Sequence, residues 1–450
     1  MTARFVPTHP PRGAAPVSTW RGFVGERART AVYGWSELAF RQDYFKRTIL
    51  GFNVHVPLAP DMVQHVLLDN AANYVKPDLV KRLLAPAIGR GLLTSDGALW
   101  REQRKIVAAN FSPHAVDALM PEFGAVGREA AVRWSPGVRD MHFEATQATM
   151  RVISNTLFSG DPRLTSEAAM VHIAAALEGV SEARLQVMLG MPRIPLSPSG
   201  WKAERGQRYL RRTLEAVVRE RLPDGGADDF LGRLIRGLGE RFEPGEAATL
   251  AADNAMTFYL AGHETTANAV AWALYLLSEQ PALQEEVAAE ARTALAGGED
   301  AALPDRLPLL RRVLDETLRL YPPAPRFDRQ AVAADRLGPH AVAPGDIVSI
   351  WPWILHRHQA LWDDPDAFDP GRFLPERRGE RHRFQYLPFG AGPRLCVGAR
   401  FATAEALTIL AHWLGAWRFS PLPGAQVHVH GMVTLRPRGG LPLVLERRSH

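Results

Sequence analysis

Three observations predict a mainly helical α+β chain. A segment from about Thr249 to Glu279 is apolar on most sides, as a helix buried in a large core must be. The first two-thirds of the 450 residues reads as mostly helical, and strand-like pieces are short and gather late in the chain. Together they describe a large helical domain with one long central helix and small β-sheets, spanning residues 1–450 as a single unit.

Taken in order, residues 1–18 are rich in proline (Pro7, Pro10, Pro11 and Pro16) and are expected to form a flexible N-terminal segment. Phe111-Ser-Pro-His114 marks a turn and a helix start, with Pro113 suited to a first helical position. Met191–Gly200 and Leu222–Asp229 are the candidate breaks, yet neither separates stretches of different composition. The segment 249–279 would run about 45 Å as a helix, enough to cross the domain. Asp253, His263 and Glu264 make it a poor membrane span. A helix over 307–320 stops at Tyr321-Pro-Pro-Ala-Pro325, and Asp346–Trp351 alternates as a strand. An irregular stretch follows from His356 to about Arg383, then a last helix over about Val397–Trp413.

Hydrophobic residues make up 46% and charged residues 22%, the balance of a folded chain rather than a disordered one. The net charge of +5 is small for this length. It marks either a face for an acidic protein, an anionic membrane or nucleic acid, or merely a solvated surface. One cysteine cannot form an internal disulfide, and neither a signal-type apolar stretch nor a membrane anchor is visible. The expectation is a cytoplasmic protein with no nucleic-acid partner.

That cysteine, Cys396, lies in Pro388-Phe-Gly-Ala-Gly-Pro-Arg-Leu-Cys-Val-Gly398, which leads into the last helix. Gly390, Gly392 and Gly398 permit tight turns and close approach to a flat ligand. Backbone N–H groups near a helix start and the charge of Arg394 favour a thiolate. The ordinary alternative is a small buried hydrophobe. Here Phe389, Gly390, Gly392, Arg394, Cys396 and Gly398 match the pattern Phe-Gly-X-Gly-X-Arg-X-Cys-X-Gly at every fixed position. This resembles the haem-binding signature of the cytochrome P450 family, whose thiolate ligation is a general example of haem chemistry.

Three further motifs resemble that family in the same chain order. Ala261-Gly-His-Glu-Thr-Thr266 sits in the long helix, where Gly262 leaves room for a flat cofactor and dioxygen. The resemblance implies a proton relay in which Thr265 holds water or the bound oxygen and Glu264 passes protons inward. The bland alternative is a Thr bonded back to the carbonyl four residues earlier and a solvated Glu. Glu316-Thr-Leu-Arg319 pairs opposite charges three apart, normally a surface ion pair. In the family these charges are buried beneath the haem with a later Arg, here Arg372 in Asp369-Pro-Gly-Arg-Phe373. Gly371 departs from the family's usual Pro-Glu-Arg-Phe and puts the local turn in doubt. Trp100-Arg-Glu-Gln-Arg104 sets two donors four apart on one helical face. By resemblance, Trp100, Arg104, Arg329 and Arg394 hold the haem propionates.

The resemblance therefore implies a cytochrome P450-like fold and a monooxygenase that uses haem b (iron protoporphyrin IX), dioxygen and, indirectly, NAD(P)H. No phosphate-binding Gly-rich turn follows a strand and one cysteine cannot hold an iron–sulfur cluster, so electrons come from a ferredoxin or flavodoxin with its reductase. Arg377, Arg378, Arg381 and Arg383 are a candidate docking patch, or simply a solvated charge run. A monomer is expected. The implied pocket wall (Leu83, Leu84, Phe258, Ala261, Pro325, Phe327 and Met432) suits a small, largely apolar lipid, terpenoid or aromatic compound. A peroxide-using relative and a non-catalytic haem sensor are the competing readings, and the Glu264-Thr265 pair speaks against the first.

Overall fold

The computed structural model describes residues 4–14, 30–191, 193–222, 228–298, 300–431 and 433–449. Its longer helices are α1 (Asp78–Ile88), α2 (Gly97–Ala109), α3 (Met120–Arg133), α4 (Met141–Leu157), α5 (Glu167–Met188), α6 (Pro198–Arg221), α7 (Phe230–Gly239), α8 (Pro244–Ser278), α9 (Pro281–Ala296), α10 (Pro308–Leu320) and α11 (Ala399–Ala416). Helix α8 begins about a turn and a half earlier than the sequence suggests, with Pro244 in its first turn where no N–H is needed. Nearly all of its side chains between Leu250 and Ser278 are buried, because α4, α6, α7, α10 and α11 pack around it. A largely apolar circumference, with its few polar side chains such as Asn254 and Thr257 hydrogen-bonded, is what such a central position requires.

The largest sheet has five strands, in the order Tyr44–Ile49, Phe52–Pro57, Ile347–Ile350, Phe327–Ala331 and Tyr74–Val75. Its register sets Val75 opposite Gln330 and Arg329 opposite Val348. Strand Ile347–Ile350 is buried on both faces, which explains why three of its four residues are apolar, while Ser349 Oγ donates to Asp328 Oδ1. A smaller sheet joins Gly137–Asp140, Pro442–Arg447 and Trp417–Pro421. The irregular stretch after His356 resolves into 3₁₀ turns at Pro370–Phe373, Pro375–Glu380 and Arg383–Gln385.

Of the N-terminal segment 1–18, residues 1–3 and 15–18 lie outside the described residues. Residues 4–14 are held against the body of the protein rather than loose. Phe5 C=O accepts from Phe368 N–H at 2.9 Å, Tyr321 Oη donates to Thr8 C=O at 2.7 Å, and Arg12 pairs with Asp366. Each proline lacks an N–H to satisfy, and buried Pro7 and Pro10 fit this extended strap.

Candidate active site

The cysteine loop is closed by its own backbone. Cys396 N–H donates to Phe389 C=O at 3.0 Å and Leu395 N–H to Gly392 C=O at 3.0 Å. Gly390 and Gly392 have φ of +71° and +67°, values that side chains rarely adopt. A Cβ on Gly392 would stand 1.8 Å from the carbonyl oxygen of Leu67. The loop is anchored at its start by His356, whose Nε2 accepts from Leu387 N–H at 2.8 Å while Nδ1 faces Arg319 C=O at 3.3 Å.

The last helix begins at Ala399, later than expected, so Cys396 lies just before its first turn with Gly398 at the cap. The sulfur opens onto an internal cavity, which is why the residue counts as exposed. Its electrostatics differ from the sequence expectation. Burial pushes the thiol pKa up, against the Gly398 N–H and the charge of Arg104, which pull it down. Arg394, expected to stabilise a thiolate, is turned away: its Nη2 donates to Ser95 C=O at 2.9 Å and to Asp96. The loop alone therefore does not ionise the sulfur, and a cation beside it would.

Across the cavity, Ala261, Gly262, Thr265 and Thr266 present one edge of α8. Thr265 Oγ1 donates to Ala261 C=O at 2.9 Å, the back-bonded arrangement expected of any helical threonine. Gly262 has a packing reason of its own, since a Cβ there would meet Ile153 Cδ1 of α4 at 2.7 Å. Part of the room ascribed to a flat ligand is thus filled by α4. Glu264 points away from the cavity and is buried, not solvated. Its Oε1 accepts from Thr434 Oγ1 at 2.7 Å. Burial raises its pKa, opposed by that hydrogen bond and by Arg436.

One rim of the cavity carries Lys76, Trp100, Arg104, Arg329 and Arg394. Trp100 and Arg104 lie one turn apart on α2, and the Arg394 guanidinium stacks 4.0 Å over the Trp100 ring. Burial lowers the Arg394 pKa to about 10 and also lowers those of Arg104 and Arg329. Lys76 falls to about 7, through burial and then repulsion from Arg329 and Arg394. Asp96 and Asp328 are the carboxylates that bear on Lys76, so four cations face two anions. Arg394 Nη1 is buried without a hydrogen-bond partner.

Glu316 and Arg319 are wholly buried rather than a surface pair. Arg319 Nε and Nη2 donate to the two carboxylate oxygens, each at 2.7 Å. The remaining donors of Arg319 reach the carbonyls of His356, Pro365 and Ala367 at 2.8, 2.6 and 2.9 Å. Arg372 Nε stands 3.4 Å from Glu316 Oε1, and Asp369 N–H donates to the same oxygen at 2.8 Å. Gly371 has a local cause: Asp369 Oδ1 accepts its N–H at 2.9 Å, and a Cβ would lie 2.8 Å from that oxygen. The turn forms with Arg372 in place.

The cavity, about 310 Å³, thus gathers Cys396, Phe389, Gly390, Arg394, Gly398, Trp100, Arg104, Arg329, Ala261, Gly262 and Thr265. Of the proposed wall, Phe258 and Phe327 line it alongside Ala261. Leu83, Leu84 and Pro325 do not. Helix α1 packs on α5 and α6, leaving the loop residues Leu92 and Leu93 to form that wall. Pro325 is buried with its carbonyl bound to Trp353 N–H, and Pro323 and Ala324 line the cavity instead. Met432 lies outside the described residues. Lys76 and Phe111 were missed. A lone lysine before a proline gives no local signal, and only the Val75–Gln330 pairing brings Lys76 beside Arg329. Of the docking patch, Arg381 turns inward to the Arg372 carbonyl and Arg377 pairs with Glu380, leaving Arg378 and Arg383 exposed.

The central helix thus runs along one side of the cavity, with the cysteine loop and the cationic rim also lining it. The cytochrome P450 family model matches residues 41–439. Cyclooctatin synthase of Streptomyces melanosporofaciens is 32% identical over 401 residues, covering 88% of this chain and 86% of that protein. Cyclooctat-9-en-7-ol 5-monooxygenase of the same organism is also 32% identical, over 86% of this chain and 85% of its own. A cytochrome P450 crystal structure (CYP102L1) superposes with a TM-score of 0.76 at 25% identity, covering 90% of this chain and 92% of the other. The chain belongs to the cytochrome P450 family and is a monooxygenase. Membership implies haem, dioxygen and electrons drawn from NAD(P)H through a partner. The residues present fit that group: a thiol lacking a cation, an apolar slot, and a rim with surplus positive charge and an orphaned guanidinium N–H for carboxylates.

Proposed function

We propose that this chain inserts one atom of dioxygen into a small, largely apolar organic substrate, of terpenoid, lipid or aromatic type, using electrons from a separate ferredoxin or flavodoxin with its reductase. The observation that carries the reading is Cys396 facing Thr265 across one apolar cavity with a cationic rim. The two Streptomyces relatives, one of them named for oxidising cyclooctat-9-en-7-ol, favour a terpenoid.

In this reading Cys396 Sγ holds the iron, and Lys76, Trp100, Arg104, Arg329 and Arg394 bind the two propionates. The family resemblance implies haem b, and a single cysteine, already assigned to the iron, leaves none for thioether attachment. When bound, it supplies dioxygen activation, with electron density pushed from the thiolate. The protein's own work is positional. Phe111, Phe258 and Leu93 exclude water and orient an apolar substrate. Thr265 Oγ1 stands at the cavity wall as a proton donor, its rotation freed when it leaves the Ala261 carbonyl. Glu264, whose pKa burial raises, resupplies protons from the Thr434 side. Glu316, Arg319 and Arg372 hold the irregular stretch that supports the cysteine loop. Arg378 and Arg383 remain as candidates for partner docking, and the protein is read as a cytoplasmic monomer.

Turnover with NADPH and surrogate redox proteins, compared with hydrogen peroxide alone, tests this reading. Product only from the reductase-coupled system is expected. Product from peroxide alone would favour a peroxygenase, and no product from either would favour a sensor. Cys396→Ser should abolish the thiolate-type carbon monoxide band of the reduced protein; persistence of that band would overturn the ligand assignment.

A further inference from the structure

The connection between α1 and α2, residues 89–96, supplies Leu92 and Leu93 to the cavity but contains no helix or strand of its own. Its backbone polar groups must therefore find partners elsewhere. Helix α8 provides them. Asp253 Oδ2 accepts from Arg90 N–H at 2.7 Å, and Asn254 Oδ1 accepts from Leu92 N–H at 3.0 Å. Asn254 Nδ2 donates to Gln103 Oε1 of α2 at 2.6 Å and to Leu250 C=O at 2.8 Å. Gln103 Nε2 returns to the loop, donating to Arg90 C=O at 3.1 Å and to Ser95 Oγ at 3.3 Å. All three side chains are buried, Asn254 and Gln103 completely.

The backbone approach is equally close. A Cβ on Gly91 would stand 2.8 Å from the Asp253 carbonyl oxygen and collide with Thr257 Oγ1. Gly89 has φ of +55°, and a Cβ there would run into the Asp253 carboxylate. Arg211 Nη1 of α6 stands 2.7 Å from Asp253 Oδ1 and gives that buried carboxylate a countercharge. Loops that wall a cavity are ordinarily among the most mobile parts of a fold. This one has amides at 90 and 92 locked into a buried, satisfied network, which specifies one arrangement. Asp253, Asn254 and Gln103 stand behind the wall and do not line the cavity themselves.

We propose that Asp253, Asn254 and Gln103 are positioning residues for the substrate. They hold residues 89–95 as a preformed wall, so that Leu92 and Leu93 select an apolar compound by shape, with no polar contact to it. A wall fixed in advance loses no further freedom when a ligand binds, and that is its contribution to affinity. The inference rests on the reading of this cavity as the substrate site.

The test combines two measurements on the haem-loaded full chain. Hydrogen–deuterium exchange reads the order of residues 89–95. Optical titration reads the binding of imidazole and 4-phenylimidazole, two haem-iron ligands that differ by one apolar ring. In the unaltered protein the 89–95 amides should exchange slowly. Asn254→Leu strands the Leu92 N–H and should speed their exchange by about tenfold or more. It should also raise the Kd of 4-phenylimidazole by about fivefold while leaving that of imidazole within about twofold. Gln103→Leu, on a different helix, should act in the same direction and decides the matter if Asn254→Leu does not fold. Leu93→Ala should weaken 4-phenylimidazole as well, and adding it to Asn254→Leu should cost less than the sum of the two. Rapid exchange of 89–95 in the unaltered protein overturns the proposal. So does faster exchange in the variants with 4-phenylimidazole binding unchanged, or strict additivity with Leu93→Ala, since the network would then serve the fold alone. Indifference of 4-phenylimidazole to Leu93→Ala overturns the underlying reading of the cavity and the proposal with it, even where exchange shows the loop to be held.

Discussion

Thr265 and Glu264 are neighbours in sequence and stand about 100° apart around α8, one facing the cavity and one towards Thr434. Removing the hydroxyl by Thr265→Ala leaves α8 intact, because the lost bond is a side-chain one to Ala261. Oxygen uptake should continue in that variant while product per oxygen falls by about tenfold or more and hydrogen peroxide appears, as expected when a positioned proton donor is lost. Unchanged coupling would exclude the relay. Two histidines make a separate prediction. Burial, followed for His356 by the charge of Arg319, lowers the pKa of His356 to about 3; burial lowers that of His263 to about 4. Both are lowered from an ordinary 6.5, so below that pH the unfolded chain takes up protons that the folded chain refuses. Stability is therefore full above about pH 6.5 and falls on acidification, by about 1.4 kcal/mol per pH unit for each histidine. Denaturant titrations between pH 7.5 and 5 read this directly, and a flat profile would refute it.

At the scale of elements, the cysteine loop is set by contacts that come from elsewhere in the chain. Gly392 combines a left-handed backbone with a carbonyl 1.8 Å from any Cβ, and a backbone oxygen cannot swing aside as a side chain can. Gly392→Ala should therefore displace the loop and cut haem incorporation severely, read as the ratio of haem to protein absorbance. Gly379→Ala, where a Cβ meets nothing within 4 Å, is the control and should load normally. Equal loading of the two would contradict the geometry. Beneath the loop, the Glu316 carboxylate accepts from Arg319 and from Asp369 N–H. A buried pair of this kind fixes one arrangement of an otherwise irregular segment more than it adds net stability.

For the molecule as a whole, the N-terminal strap closes a network that no local pattern announces. Asp366 is shared between Arg12, which also lies 3.7 Å over the Phe40 ring, and Arg357, which is buried against Trp353. Arg12→Ala leaves Asp366 its second partner and should cost about 2 kcal/mol. Asp366→Ala strands a buried guanidinium and should cost about 3–5 kcal/mol. The ranking, measured by chemical denaturation, is the test: a larger loss for Arg12→Ala would mean that the strap acts through packing alone.

The sequence by itself determined the helical class, the long central helix, the cysteine loop and the Glu316–Arg319 pair. Each is written in residues close together, where periodicity, glycine placement or a short spacing is enough. Tertiary structure decided the rest. Pairing of Tyr74–Val75 with Gln330–Ala331 brought Lys76 to the cationic rim. The packing of α1 on α5 and α6 moved the wall from Leu83 and Leu84 to Leu92 and Leu93, and the strap took its place by meeting residues more than 300 positions away. The thiol's pKa also belongs to this second group. Desolvation depends on every atom crowded around a group, so the donors visible in the loop could not reveal that burial outweighs them.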